Sequence, residues 1–230
     1  MTAELIGWAD RVLRASVSVT DQLTRVGIGI EQRLLARGTG GPRREMPAAW
    51  KVKPLGDVAR FACGKTKPRD AAHLRSPTNF VPIYGGKGLL GFSGTALRRG
   101  ATIVIGRLGA HCGEFHFVPD EESWITDNAL FVYETRPEVD LRFLYYSLRR
   151  LDPAALRTTG RQPLISLSTI YPVLVALPPL EEQRRICEVL LSMEALREAE
   201  DKVLVQAKRV RSVLAEGGAI GGVGLGETPG

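Results

Sequence analysis

The stretch Pro178-Pro179-Leu180-Glu181-Glu182-Gln183-Arg184-Arg185-Ile186 decides the reading of this chain, because it closes a strand and opens a long helix. The two prolines stop the extended segment before them and pre-set the backbone for a first helical turn. Glu181 and Glu182 then fall where the helix dipole is positive and favours carboxylates. From Ile186, apolar residues recur at Val189, Met193, Leu196, Val203, Ala207, Val210 and Leu214, with Glu200 the one charged member of the series. This alternating three-four spacing predicts a coiled-coil seam rather than an ordinary surface helix. A helix of roughly 35 residues would be about 50 Å long.

Working back from that stretch, residues 50–177 read as short β-rich runs punctuated by glycine. Strands are expected at 80–84, 89–92, 101–105, 114–118, 128–133 and 173–177. One helix is expected at 141–151, after Pro137, with Leu141, Leu144, Tyr145 and Leu148 on one face, and a short one near Ser166 or Ser168. Residues 3–36 read as helix in one or two pieces, with Thr20-Asp21 as the N-cap of a second piece that Gly27 and Gly29 weaken. The fold class is therefore α+β, a sheet-containing domain flanked by long helices, the C-terminal one a coiled-coil spacer. The expected divisions are a helical segment at 1–37, a linker at 38–48, the sheet domain at 49–180, the spacer helix at 181–216 and a disordered glycine-rich tail at 217–230.

The net charge of +6 gains meaning once it is located. Residues 49–180 hold 17 Lys+Arg against 11 Asp+Glu, whereas residues 181–216 hold 7 against 8. A basic block beside a charge-balanced helix points to an anionic partner for the block and a protein partner for the helix. Cys63, Cys112 and Cys187 are odd in number and scattered, which argues for a reducing cytoplasm rather than a disulfide framework. No run approaches the roughly 20 apolar residues of a membrane span, and the N-terminus reads as no export signal.

Several motifs, in fixed order, resemble the DNA-specificity subunit of type I restriction-modification systems. Pro47-Ala48-Ala49-Trp50-Lys51-Val52, followed by Leu55-Gly56-Asp57-Val58, resembles the start of that family's target-recognition domain. Val81-Pro82-Ile83-Tyr84-Gly85-Gly86-Lys87-Gly88 with Gly91-Phe92, then Ile105-Gly106-Arg107-Leu108-Gly109, resemble its mid-domain strands and turns. Trp124-Ile125-Thr126-Asp127-Asn128-Ala129 and Gly160-Arg161-Gln162-Pro163-Leu164-Ile165-Ser166 fit as well. The Pro-Pro-Leu-Glu-Glu-Gln block resembles its exit into the spacer helix, and Leu34-Leu35-Ala36-Arg37-Gly38 the end of its central spacer. A full specificity subunit has two recognition domains, so the resemblance is to a half-length form or to the C-terminal half of a full one.

Reading duplex DNA takes cations for phosphates and hydrogen-bonding side chains for base edges. Lys65, Thr66, Lys67 and Arg69 lie in a proline-containing loop after Gly64, and Tyr84 and Lys87 flank two glycines at a hairpin turn. Arg107 and His111 follow an apolar strand, and Arg161 with Gln162 follows a flexible glycine. These ten residues are the candidate DNA contacts, each competing with a purely structural reading as surface loop, turn or ion pair. The seam residues Ile186, Val189, Met193, Leu196, Val203, Val210 and Leu214 are the candidate helix interface. Neither a CxxC nor an HxxxH spacing supports a metal at His111, Cys112 and His116.

No P-loop, aminomethyltransferase tetrapeptide, HExxH or GxSxG motif is present, so no catalytic residue is assigned and the chain is not expected to be an enzyme. By resemblance, chemistry belongs to partners: a modification (methyltransferase) subunit using S-adenosylmethionine, and a restriction subunit using ATP and magnesium. The chain itself is expected to hold no cofactor. Its expected partners are double-stranded DNA, those two subunits, and a second copy or another half-length specificity chain. The sequence leaves open a different class of function, a dimerising structural module or inactive remnant that binds no specific sequence.

Overall fold

The computed structural model describes residues 2–35, 47–158 and 164–220. Their contacts form two units, Leu35–Cys187 and the pair Met1–Leu34 with Glu188–Gly230.

The larger unit begins with β1 (Lys51–Pro54), α2 (Leu55–Val58) and β2 (Ala59–Cys63). Next come β3 (Val81–Gly85), β4 (Gly88–Ser93), the two-residue β5 (Arg98–Arg99) and β6 (Thr102–Gly106). After a 3-10 turn at Gly109–His111 follow β7 (Phe115–Val118), β8 (Glu122–Ile125) and β9 (Ala129–Thr135). It closes with α3 (Leu141–Leu148), α4 (Pro153–Leu156), α5 (Leu167–Ile170) and β10 (Leu174–Leu177).

Two four-stranded sheets result, ordered β2-β9-β6-β7 and β4-β3-β8-β5, with β1 and β10 forming a separate antiparallel pair. Pairing is antiparallel throughout except between β3 and β8, where Ile83 faces Trp124 and Tyr84 faces Ile125 in parallel. The central strand β6 is buried at every position, as an uninterrupted apolar run requires when both faces are covered. One face is covered by α3, whose Phe143, Leu144, Tyr146 and Leu148 are buried. The other carries Val104, Val118, Ala129 and Phe131, which pack with Ile125, Tyr84 and Leu97 and so join the two sheets.

The helix caps explain where the short helices start. Asp140 accepts from the N–H groups of Arg142 and Phe143 at the head of α3, and Asp152 accepts from Ala154 N at the head of α4. Ser166 and Thr169 form a capping box on α5, which places that helix where the sequence expected it. The helix expected at 141–151 stops at Leu148, because Asp152-Pro153 opens a new turn directly after it.

Pro178 and Pro179 lead into α6 (Leu180–Ile220), a helix of 41 residues or about 60 Å. It extends into the residues expected to form the tail from 217 onward; residues 221–230 lie outside the described part. At its first turn Gln183 is fully buried. Its amide accepts from Asp140 N at 2.8 Å and donates to Glu138 O at 2.9 Å and Pro178 O at 2.8 Å. Trp50 Nε1 donates to Glu182 Oε2 at 3.2 Å, tying the beginning of the domain to its end.

In the smaller unit α1 (Thr2–Leu35) is one continuous helix. Of the one or two pieces the sequence allowed, one is found, because the Thr20 hydroxyl donates back to Ser16 O at 2.9 Å instead of capping a new helix. The α6 segment of this unit runs antiparallel to α1. Asp10 Oδ1 meets Arg211 Nε at 2.9 Å, and Met193 Cε lies 3.2 Å from where a Cβ on Gly27 would stand. Leu190 is buried, and Met193, Glu200, Leu204 and Ala207 are half-buried along one stripe. The expected seam shares Met193, Glu200 and Ala207 with that stripe, but Val189, Leu196, Val203 and Val210 lie exposed on its flank. Two three-four registers share every seventh residue here, and α1 covers the one holding Leu190 and Leu204, although it also carries Arg197 and Arg211 where the expected seam has Leu196 and Val210. Ile186 is buried within the larger unit, and the side chain of Leu214 lies outside the described residues.

Candidate nucleic-acid interface

Three loops far apart in sequence meet at one end of the two sheets, and backbone hydrogen bonds hold them there. Beyond β2, Gly64 N donates to Ala129 O at 3.1 Å and Lys65 N to Ile125 O at 2.9 Å. The turn after β8 answers, with Asp127 N donating to Lys65 O at 3.0 Å and Thr126 N to Tyr84 O at 2.9 Å. Gly64 is required there, since a Cβ would run into the carbonyls of Ile125 and Thr126.

The turn between β3 and β4 carries Gly86 and Lys87, with Gly88 at φ +92°. A glycine with positive φ after two turn residues is the usual way such a hairpin closes. Gly86 lies against Gly106 at the end of β6: a Cβ on Gly86 would stand 3.2 Å from Gly106 Cα and 3.5 Å from His111 Cβ. A Cβ on Gly106 would strike His111 O. Two glycines from different sheets thus let two loops touch backbone to backbone.

Arg107 extends the cluster. Its N–H donates to Asn128 O at 3.0 Å, its carbonyl accepts from Ile165 N at 3.0 Å, and Nη1 donates to Cys63 Sγ at 3.1 Å. Leu108 pairs with Leu164, and Thr158 N donates to Leu164 O at 2.9 Å. The predicted contacts Arg161 and Gln162 lie between Thr158 and Leu164 but outside the described residues. Two buried polar atoms in this region, Arg107 Nε and Thr126 Oγ1, have no hydrogen-bond partner. An unpartnered buried donor is costly, and a ligand acceptor relieves that cost.

Of the residues singled out from sequence, Lys65, Thr66, Tyr84, Lys87, Arg107 and His111 are brought to this end. Lys65, Thr66, Lys87 and His111 are exposed and Arg107 is half-buried. Thr66 Oγ1 donates to Asp127 Oδ2 at 3.3 Å, and His111 Nδ1 lies 2.8 Å from Glu114 Oε1. Tyr84 turns inward: it packs on the cluster between the sheets and donates to Glu121 Oε1 at 3.0 Å. Burial and the Glu121 carboxylate push its hydroxyl up to about 12, so it stays a donor throughout the neutral range. Lys67 and Arg69 are exposed further along the loop after β2. Next to them, Asp70 accepts from Gly94 N and the Ser93 hydroxyl, and these bonds hold its carboxyl below the usual range. Among the described residues, Lys65, Lys67, Arg69 and Lys87 make no ion pair.

Asn128 was not among the predicted contacts. It is exposed beside Gly86 and Arg107, and its side-chain amide has no partner among the described residues. The polar Thr126-Asp127-Asn128 turn between two apolar strands was the available signal. The chemistry assembled here is that of phosphate contact and base-edge reading: free cations, an arginine, an exposed amide, and backbone brought close by glycine. Among the described residues no group of His, Cys, Asp or Glu is arranged to hold a metal ion, and no helix is long and apolar enough to cross a membrane.

The same architecture occurs in solved structures. The type I restriction-modification S subunit from M. genitalium superposes with a TM-score of 0.69 at 17% identity, over 93% of this chain and 58% of that one. The HsdS subunit from Thermoanaerobacter tengcongensis gives 0.66 at 19% identity, over 94% of this chain and 55% of that one. The specificity subunit of the type I restriction enzyme EcoprrI from Escherichia coli is 21% identical over 166 residues, 72% of this chain and 40% of that protein. The chain thus spans between two and three fifths of the length of these relatives. Residues 47–209, which run from before β1 well into α6, match the family described as type I restriction modification DNA specificity domain. A match over most of the chain, on the fold its relatives share, decides the matter: the protein belongs to the type I restriction modification DNA specificity domain family.

Proposed function

We propose that this chain selects the DNA sequence on which a type I restriction-modification assembly acts, and that it supplies no catalytic group itself. The observation that carries this reading is the convergence of Lys65, Lys87, Arg107 and Asn128, from separate hairpins and loops, on one end of the two sheets. Lysines there neutralise phosphates, while Arg107 and Asn128 have the donors and acceptors that guanine and adenine edges match. Methyl transfer from S-adenosylmethionine is assigned to a modification subunit, and ATP-driven cleavage to a restriction subunit.

The test is to incubate the full chain, alone and with the modification subunit, with random duplex DNA and to sequence what is retained. An enriched motif is expected; retention without one favours a scaffold that binds no specific sequence. Changing Arg107→Ala or Asn128→Ala is expected to relax one motif position by about 10–100-fold, the worth of a bidentate base contact. Unchanged selectivity in both variants removes them from the reading surface.

A second copy is the partner proposed for the exposed stripe of Val189, Leu196, Val203 and Val210. Their seven-residue repeat and an open groove lined by Val189, Ser192, Met193 and Leu196 suit another helix pair. A two-fold dimer would read two identical half-sites with a gap between them. Replacing Val203→Asp and Val210→Asp together is expected to halve the mass in solution by light scattering. An unaltered mass would place the contact elsewhere.

A further inference from the structure

The turn that presents Lys87 is gripped from beneath by one side chain. His116 stands on β7, half-buried, with Nε2 at 2.9 Å from Gly86 O. Its ring lies flat enough on the turn that a Cβ on Gly88 would stand 3.3 Å from Nδ1. The histidine therefore touches the turn on both sides of Lys87, by a hydrogen bond before it and by packing after it. Glu114 Oε2 lies 3.8 Å from the same Nε2, while its other oxygen is 2.8 Å from His111 Nδ1. The carboxylate thus lies near both imidazoles but is hydrogen-bonded to His111 alone.

The acceptor settles the proton. Gly86 O can only accept, so Nε2 of His116 carries a hydrogen and donates it. That bond is needed because Gly85, Gly86 and Gly88 leave the turn with little side-chain packing of its own, and glycine resists being ordered. A lysine on an unheld glycine turn would spend its phosphate contact on ordering the loop.

We propose that His116 is a positioning residue for DNA binding: it fixes the turn so that Lys87 is presented to a phosphate already in place. The inference rests on the reading that this end of the domain binds DNA, and it assigns His116 no contact with DNA itself.

A double-mutant cycle on the full chain tests it, with affinity for duplex DNA measured at two salt concentrations. His116→Leu, which keeps bulk and removes the donor, is expected to weaken binding about 5–10-fold. It should also lower the salt slope by about 0.9, the value of one phosphate contact. His116→Gln, whose amide nitrogen reaches the position of Nε2, is expected to restore affinity to within about 2-fold, as conservative rescue requires. In a Lys87→Ala background His116→Leu should cost nothing more, because both changes remove the same contact. Losses that multiply, or a glutamine variant as weak as leucine, overturn the proposal. If leucine at 116 prevents folding, His116→Ala is read in the same cycle. Failure of the unaltered chain to bind any duplex, alone or with the modification subunit, would instead overturn the DNA reading from which this follows.

Discussion

Gln183→Leu is expected to lower the stability of the larger unit by about 3 kcal/mol, since three backbone groups around a fully buried amide lose their partners together. Leucine fits the volume but leaves Asp140 N, Glu138 O and Pro178 O without the amide that now meets them at 2.8–2.9 Å. Asp140 is also the cap of α3, so the loss reaches a helix that covers β6 and β7. Gln183→Glu should do nearly as badly, because a carboxylate accepts from Asp140 N but donates to neither carbonyl. Urea unfolding of the full chain, followed by the fluorescence of Trp50 and Trp124, gives the measurement. A loss below about 1 kcal/mol in both variants would show that water replaces the amide at little cost.

The second large effect concerns DNA. Changing Lys65, Lys67, Arg69 and Lys87 together to alanine removes four exposed cations that no carboxylate among the described residues pairs with. If each meets a phosphate, the salt slope of binding falls by about 3.6 and affinity near 0.1 M salt drops by roughly 10³–10⁴, through counterions no longer released. The four positions lie in exposed loops and turns, so folding should be unaffected, and an unchanged unfolding midpoint is the control. A slope that falls by less than about one would move the phosphate track to another face of the domain.

How much of this could be read beforehand depended on whether local composition or tertiary pairing decides an element. The expected strands correspond to β3, β4, β6, β7, β9 and β10, all apolar runs bounded by glycine or proline. The strands β1, β2, β5 and β8 were not foreseen. Lys51–Pro54 carries two lysines and a proline, and Arg98–Arg99 is two charged residues held by a ladder to Ser123 and Glu122. Their extended state comes from a partner strand, which composition cannot show. The alternative of two pieces in α1 rested on Thr20 as a cap, and Thr20 uses its hydroxyl within the helix. In α6 the helix was evident but the covered stripe was not, because that stripe carries Arg197 and Arg211 where the neighbouring register has Leu196 and Val210 and so looks less apolar.

The candidate site was legible as parts and not as a place. Glycine flanks drew attention to Lys65, Lys87 and Arg107, but their meeting depends on the parallel pairing of β3 with β8 and on the contact of Gly86 with Gly106. Asn128 was passed over for the same reason. An exposed amide in a polar turn has no periodicity, and only the N–H of Arg107 bonding its carbonyl shows where it stands. His116 was weighed as a metal ligand, whereas its nitrogen is taken by Gly86 O.

The antiparallel partnership of β1 with β10, buttressed by Trp50 on Glu182, means that the polypeptide comes in and goes out through a single doorway. The described residues between 55 and 173 form a cassette closed by that ladder. Its loops can change in sequence while the ladder of β1 with β10 is kept. If those loops read DNA as proposed, a lineage could acquire new targets by exchanging the cassette whole, provided the replacement keeps the backbone that Gln183 clasps at Glu138 and Asp140.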